Sequence, residues 1–514
     1  MHLGSPELRP GGVCGTPLTL AAAVLVLGAP VFAQDGAAAR SISILPSLSL
    51  TETLSDNPRL QSTGKSFDAL TQLSAGLHLA SRSGQVQGSL DYTLTGYLYA
   101  REHQNNAARN SLFANGRAEL VENWLSLDGS ASIAQQALSA FGVQSTDTAS
   151  NPSNRAEVRS YQIGPTARGA LSTLANYQAT LTQSGTRTDS AAARGNSDST
   201  AGSVVLSSRS TGVLGWSATV SGRHTSYEGS RSNDIDSETL ALNYMVAPEL
   251  RLSATAGRES TNTVSLTKAS NSTWGLGADW SPSERTHLNA QVNHRFFGNS
   301  YQLSFDHRMP RSSIRLSASR DLANPQDQFR GGLGSTYDLL FAQLASSVPD
   351  PIARDLRVRE LLQASGLAPG GPSAPTFLAG AATLQQRFDA SFNLQGVRSN
   401  VAVTASTSNS RRLDPLATGV DDLSGGGSVT QRVLTLTLGH RLTPVMGISL
   451  DLSRQDSSGA TTSQSTSLRS VRASLTTTVG PRSTASLSAR HVSFYSSTAP
   501  YSENALIATF GMRF

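Results

Sequence analysis

The sequence predicts an all-β chain: a single large antiparallel transmembrane β-barrel of about 18 to 22 strands with a short helical insert. Three observations carry this. Apolar and polar residues alternate with period two along nearly the whole chain after residue 41. The connections between these alternating runs switch between short turns and long polar stretches. The last run keeps alternating up to a terminal Phe514.

Composition removes the competing classes. Of 514 residues, 38 % are hydrophobic and 15 % charged, with 44 Gly and one Cys. Soluble domains hold about a quarter charged and nearly half apolar residues, so both ends of the scale are depleted in favour of Ser, Thr, Ala, Gly, Asn and Gln. A helical membrane protein needs several runs of about 20 apolar residues, and only the first 33 residues approach one. A disordered chain would carry a high net charge without regular patterning, against +5 here. One cysteine excludes a disulfide scaffold or a thiolate metal site.

The N-terminus reads as a secretory leader. Leu18 to Leu27 is an apolar core, followed by Gly28, Ala29, Pro30 and the small-residue pattern Val31-Phe32-Ala33. This predicts a signal peptide over residues 1–33, cleaved near Ala33/Gln34, with residues 34–514 forming the barrel. Cys14 leaves with the leader, and a cysteine-free mature chain suits an exported protein that never relies on disulfides. The expected location is the bacterial outer membrane.

The strands show themselves by parity. Leu250, Leu252, Ala254 and Ala256 oppose Arg251, Ser253, Thr255 and Glu259. Leu288, Ala290 and Val292 alternate with His287, Asn289, Gln291, Asn293 and Arg295. Leu434, Leu436 and Leu438 oppose Thr435, Thr437 and Arg441, while Met446, Ile448, Leu450 and Leu452 oppose Ser449, Asp451 and Ser453. A helix cannot produce these strings, because side chains two apart fall on different faces. Gly/Ser-rich segments near residues 176–209 carry the weakest alternation.

Short turns are expected at Ser81–Gly84, Val121–Asn123, Ser210–Gly212, Ala247–Glu249, Ser281–Ser283, Met309–Arg311, Thr443-Pro444 and Gly480–Arg482. Longer polar stretches lie between them at Arg101–Asn110, Thr146–Arg155, Thr186–Thr200, Tyr227–Asp236 and Asp456–Ser465. Short turns at one end and long loops at the other are the pattern of periplasmic turns and extracellular loops. Trp274 and Trp280 share a face six residues apart, roughly 20 Å along a strand at about 3.3 Å per residue. That spacing suits girdle aromatics at two membrane interfaces. Trp124 and Trp216 each follow a short turn.

Residues 337–366 break the pattern. Tyr337, Leu340, Phe341 and Leu344, then Ile352, Leu356, Leu361 and Leu362, recur at helical spacing. Asp350-Pro351 supplies an N-cap followed by Pro at the first helical position, and Gly366 a stop. Strand parity puts this insert in an extracellular-side loop over residues 321–382, as a cap on the barrel or a plug in its lumen. At the far end, Leu506, Ala508, Phe510, Met512 and Phe514 alternate to the final residue. This resembles the C-terminal insertion signal of bacterial outer-membrane proteins, carried here by Phe510, Met512 and Phe514, and implies the barrel-assembly machinery as a partner.

Motifs for chemistry are absent. No Ser has Gly at both −2 and +2, which a nucleophile elbow needs. The nine His show no H-E-x-x-H spacing. Thr63-Gly64-Lys65-Ser66 resembles the end of a P-loop, but Arg59 stands where its first Gly belongs. His287, His294 and His307 fall on neighbouring strands, and only His287 shares the polar face. The reading is therefore a non-enzyme with no cofactor and no metal. Lys65 and Lys268 are the only lysines, and Arg is scattered rather than gathered in a patch, so no nucleic-acid partner is expected. The polar face predicts a lumen lining of Arg251, His287, Asn289, Gln291, Asn293, Arg295, Asp306, Arg308, Arg315, Arg441, Asp451, Arg472 and Arg490, with cross-strand ion pairs. The opposite face meets outer-membrane lipid.

Several segments together resemble the outer-membrane β-barrel family associated with the PEP-CTERM/exosortase protein-sorting system. They are Ile42 to Leu60, including Asp56-Asn57-Pro58; Tyr337 to Phe341 with Val348 to Arg354 and Val358; Phe377-Leu378, Phe388 to Gly396 and Arg398 to Asn400; and Phe514. Before Asp-Asn, where that family carries a branched or aromatic residue, this sequence has Ser55. The resemblance covers the chain from about Ile42 onward. It implies a conduit or anchor linked to export of exopolysaccharide or surface proteins, with exopolysaccharide or its export proteins as partners, and it brings no catalytic residues. A general solute porin and a surface adhesin or scaffold barrel without transport are the alternative readings.

Overall fold

The computed structural model describes residues 42–514 except Ser83, 148–151, 190–194, 210–211, 419–420, 462–463 and, between 325 and 376, all but Tyr337, Phe341, Arg354 and Val358. The expected signal peptide and most of the expected insert lie outside the described residues; those four positions are helical.

Twenty-two strands follow one another along the chain. They are β1 (Ile42–Ser55), β2 (Asp68–Arg82), β3 (Val86–Tyr99), β4 (Ala107–Val121), β5 (Leu125–Ala137), β6 (Arg155–Leu171), β7 (Ala175–Thr188) and β8 (Ser197–Ser208). Then come β9 (Leu214–Tyr227), β10 (Asn233–Ala247), β11 (Leu250–Thr261), β12 (Ala269–Ser283), β13 (Thr286–Arg295), β14 (Gly298–Arg308) and β15 (Ser312–Ala323). The ring is completed by β16 (Thr383–Gln395), β17 (Ser399–Arg412), β18 (Ser428–Arg441), β19 (Met446–Ser458), β20 (Ser465–Gly480), β21 (Ser483–Ser496) and β22 (Tyr501–Arg513). The weakly alternating stretch near 176–209 forms two full strands, β7 and β8, so the upper end of the expected range holds.

Every strand pairs antiparallel with its sequence neighbours, and β22 pairs with β1 from Ser47↔Arg513 to Ser55↔Ala505. The sheet therefore closes, which leaves no edge and satisfies the backbone within the ladder. Strands of 10 to 17 residues exceed the 9–11 or so that a tilted strand needs to cross a bilayer. Connections from an even to the next odd strand are tight. The expected short turn at Ser281–Ser283 falls slightly later, because β12 runs to Ser283 past a register shift after Trp280. Among the described residues such shifts recur only at this end, at Glu119/Val121, Met245/Ala247 and Thr478/Gly480, where a bulge adds local twist. In the β4–β5 turn Asn123 takes φ 57°, a left-handed conformation that Asn tolerates better than most residues.

Burial follows the alternation. Leu50, Leu73, Leu240, Leu242, Leu276, Val292, Leu434 and Phe510 are exposed on one face of their strands. All four Trp are exposed there too: Trp124, Trp216 and Trp280 beside short turns, and Trp274 farther up β12. Trp124 donates its indole N–H to the Tyr177 hydroxyl at 2.9 Å. This apolar outer band with aromatic residues near its edge is the lipid-facing surface of a transmembrane barrel.

Candidate pore and its mouth

The inner face is built from what the outer face leaves over. Register carries one parity from strand to strand without a break: Arg251 opposes Asp279, Asp279 opposes Asn289, His287 opposes Asp306, and Asp306 opposes Arg315. Gln291 and Asn293 lie on the same face opposite Gly277 and Gly275. On the other side of the ring Asp451 opposes Arg472, which opposes Arg490. The thirteen residues named from the sequence thus share one parity, yet they are not one site. Arg251, His287, Asn289, Gln291, Asn293, Asp306, Arg308 and Arg315 form a run over β11–β15. Asp451, Arg472 and Arg490 form a second over β19–β21. Arg441 sits apart at the short-turn end of β18, and Arg295 at the long-loop end of β13.

Several charges on this wall are matched locally. Arg315 donates to Asp306 at 2.5 Å, His287 lies 3.7 Å from Asp279, and Asn289 donates to Asp279 at 3.3 Å. Arg295 bridges Glu259 at 2.5 Å and Asp321 at 2.6 Å. Thr437 donates to Asp451 at 2.8 Å. On β2 and β3 His78 meets Asp91 at 2.9 Å, and on β16 Arg387 donates to Asp389 at 2.8 Å. His294 stacks on Trp274 and His307 lies parallel to Phe305, both on the outer parity. Among the described residues no group of three His, Cys, Asp or Glu could hold a metal ion.

Of the cavities along the wall, two adjoin the β11–β13 face. One of about 690 Å³ is lined by Thr180, Thr182, Ser203, Ser221, Ser237, Thr239, Thr255, Gln291 and Asn293, with Arg223, Arg295, Glu259 and Asp321. The other, about 400 Å³, lies beside Asn243, Arg251, Ser253, Asp279, Asn289 and Gln291 nearer the short turns. Both offer hydroxyl and amide hydrogen-bonding groups, and the larger sets two arginines against two carboxylates.

At the long-loop end the chain folds inward. The β5–β6 connection leaves its own strands and contacts β18, β20, β21 and β22; β20 is seven strand steps from β5 around the ring, counted through β1 and β22. Asn154 holds the start of this segment, accepting from the Ser139 N–H at 3.0 Å and donating to the Ser139 and Val143 carbonyls at 3.1 and 3.2 Å. Gly142 is required there, since a Cβ would lie 2.4 Å from the Asn154 amide. Across the mouth, Thr466 donates to the Ala140 carbonyl at 3.3 Å and Tyr501 to the Gln144 carbonyl at 2.6 Å. Asp422 accepts from the Ser139 hydroxyl at 2.9 Å and the Ala140 N–H at 2.6 Å. Phe377 and Leu378, just before β16, join the same layer: Leu378 donates its N–H to the Ala137 carbonyl at 3.2 Å. Ala140, Phe377, Ala379, Leu423 and Val429 form a buried apolar cluster, and Leu60, Leu468, Val492, Phe494 and Tyr501 another, against which Val143 packs.

A buried ion triad locks this layer to the seam of the barrel. Arg490 donates to Glu503 at 3.1 Å and meets Asp147 of the crossing segment at 3.3 Å, while Ser55 donates to Glu503 at 2.8 Å. Asp56 accepts from the Asn504 N–H and side-chain amide at 2.8 and 2.7 Å. Asn57, buried, donates to the Gln61 and Ser502 carbonyls at 2.8 and 3.0 Å and accepts from the Gln61 N–H at 3.0 Å. The Ser55-Asp56-Asn57 stretch thus clasps the first strand to the last. The crossing layer is the feature that sequence reasoning missed. Its signal was present in Leu138, Ala140, Phe141 and Val143, an apolar run in a connection, and in Leu468, Val492, Phe494 and Tyr501 on the polar parity.

No family model matches the chain, and no curated protein does. Solved structures with similar strand arrangements include the siderophore receptor PirA from Pseudomonas aeruginosa, with a TM-score of 0.43 and 9% identity over 92% of this chain and 80% of that one. The FrpB iron transporter from Neisseria meningitidis (F5-1 variant) gives 0.46 and 11% over 91% and 82%. Pseudomonas aeruginosa OccK1 (OpdK) gives 0.34 and 10% over 92% and 99%. A closed ladder of 22 antiparallel strands, apolar outside and polar within, with tight turns at one end and long loops at the other, is the construction of outer-membrane barrels. This chain is an integral β-barrel of the bacterial outer membrane.

Proposed function

We propose that the barrel is a conduit for uncharged, hydroxyl-rich material, restricted at its outer mouth by the β5–β6 segment, and that it serves export of exopolysaccharide or surface proteins in a PEP-CTERM-type system. The observation that carries the conduit is the wall of the larger cavity: Ser, Thr, Asn and Gln side chains with internally matched charges. Such a wall exchanges hydrogen bonds with water or with sugar hydroxyls at little net cost and offers no strong fixed charge to trap a neutral polymer. The exopolysaccharide link rests on the resemblance of the Asp56-Asn57 element and its neighbours. The role is non-enzymatic. Lipid on the outer face and the assembly machinery acting on Phe510, Met512 and Phe514 complete the proposed partners.

A strain lacking the protein tests the export role. Loss of surface exopolysaccharide, restored by the intact gene, is the expected outcome; undiminished secretion would remove that role. A general solute porin is the second reading, favoured by the paired arginines and carboxylates that line the larger cavity beside its hydroxyl and amide groups. Uptake of mono- and disaccharides into proteoliposomes without any effect on secretion would select it.

A further inference from the structure

The short-turn end of the barrel divides into two unlike halves. Four successive tight connections, β14–β15 (309–311), β16–β17 (396–398), β18–β19 (442–445) and β20–β21 (481–482), contain no acidic residue. Three of them hold an arginine, Arg311, Arg398 and Arg482, while Arg441, which ends the strand entering the fourth, keeps the lumen parity of β18. These three turn arginines are exposed, and among the described residues none is paired with a carboxylate. On the other half the turns carry Glu122, Glu249 and Glu284 along with Arg209 and Arg285, so acidic residues there offset the arginines. Unopposed positive charge is therefore local to a half-ring, and Arg311 and Arg398, on turns two strands apart, are spaced by about 10 Å.

Apolar side chains accompany these arginines. Val397 is 82% exposed beside Arg398, and Val479, just before the Arg482 turn, is 63% exposed. Leu442, Val445 and Met309 are exposed in the same turns. They continue the outer apolar band down to the level of the guanidinium groups, so each arginine-bearing turn presents a hydrocarbon contact and a cation together. That pairing suits the boundary between acyl chains and phosphates: the apolar residue stays in the membrane and the planar guanidinium reaches a phosphate in bidentate fashion. A hydrophilic polymer leaving the lumen would give the exposed valines nothing to cover them.

We propose that the turns from β14 to β21 form a binding surface for anionic phospholipid headgroups of the periplasmic leaflet, gathering such lipids on one side of the barrel. This is independent of what the lumen conducts. The test is full-length protein in nanodiscs of mixed phosphatidylethanolamine and phosphatidylglycerol, with lipids that stay bound after extraction counted by mass spectrometry. Phosphatidylglycerol should be enriched about fivefold per guanidinium, and the enrichment should fall at high salt. It should collapse in Arg311→Gln/Arg398→Gln/Arg482→Gln, whose folding is checked by heat-modified gel mobility. If that variant does not fold, Arg398→Gln alone should lower the enrichment part-way. Retained lipid at the bulk ratio, or enrichment undiminished in a folded variant, overturns the proposal. So does a variant that changes ion selectivity of the pore while keeping its lipids, which would assign the arginines to the lumen exit.

Discussion

At the scale of single residues, the positions with the largest consequence lie where the mouth layer meets the seam. Arg490 is 7% exposed and faces two carboxylates, Glu503 and Asp147. Removing a buried cation leaves its partners charged and unpaired, a loss of about 3–5 kcal/mol. Arg490→Met should lower the urea midpoint of the folded barrel accordingly, and Glu503→Gln in that background should recover part of the loss. An unchanged midpoint would mean that water reaches the triad. Asn57→Ala removes the three hydrogen bonds by which this buried side chain ties the backbones of Gln61 and Ser502 together. The expected cost is about 2 kcal/mol, read as a lower temperature at which the barrel loses its compact gel mobility. Neither role shows in the sequence as chemistry. Asp56-Asn57 is visible there as a motif, but its partners on β22, Ser502 and Asn504, are more than 440 positions away, a separation that only ring closure brings together.

At the scale of elements, alternation made the strands legible. Parity assigned Leu250, Leu252 and Ala254 to one face and Arg251, Ser253 and Thr255 to the other, and the register repeats that division from β11 through β13. The same parity predicts opposite tolerance on adjacent strands. Leu276→Arg, at a 62% exposed position in the middle of β12, should cost about 2–4 kcal/mol in lipid. Gln291→Arg on the lumen side of β13 should unfold within experimental error of the wild type. Equal losses from both would contradict the assignment of faces. Loops were less legible, because period-two patterning stops at the strand ends. The crossing segment is held by Asn154, Asp422 and Tyr501, hydrogen-bonding residues that any solvated loop also contains. Only its buried apolar members, such as Ala140, and the apolar residues they meet on the polar parity of β18, β20 and β22 set it apart. The helical spacing at 337–366 drew attention to a different connection on the same side of the barrel.

At the scale of the whole molecule, closure between β1 and β22 makes the C-terminal strand the last to find both neighbours. Phe514 extends its lipid-facing row of Leu506, Ala508, Phe510 and Met512. Deleting Phe514 should slow assembly into the outer membrane in pulse-chase experiments while leaving the midpoint of the folded barrel nearly unchanged, since one exposed side chain at the rim adds little burial. Assembly at the normal rate would remove the insertion-signal role. The conduit itself is tested most directly by single-channel conductance in planar bilayers. The comparison is the wild type against a protein in which residues 139–151 are replaced by a short Gly-Ser turn, alone and together with deletion of 337–366. A polar lumen restricted by the crossing segment predicts conductance steps several-fold larger once that segment is removed. Steps of unchanged size, or no conductance from any of the three proteins, would contradict a pore restricted at this mouth.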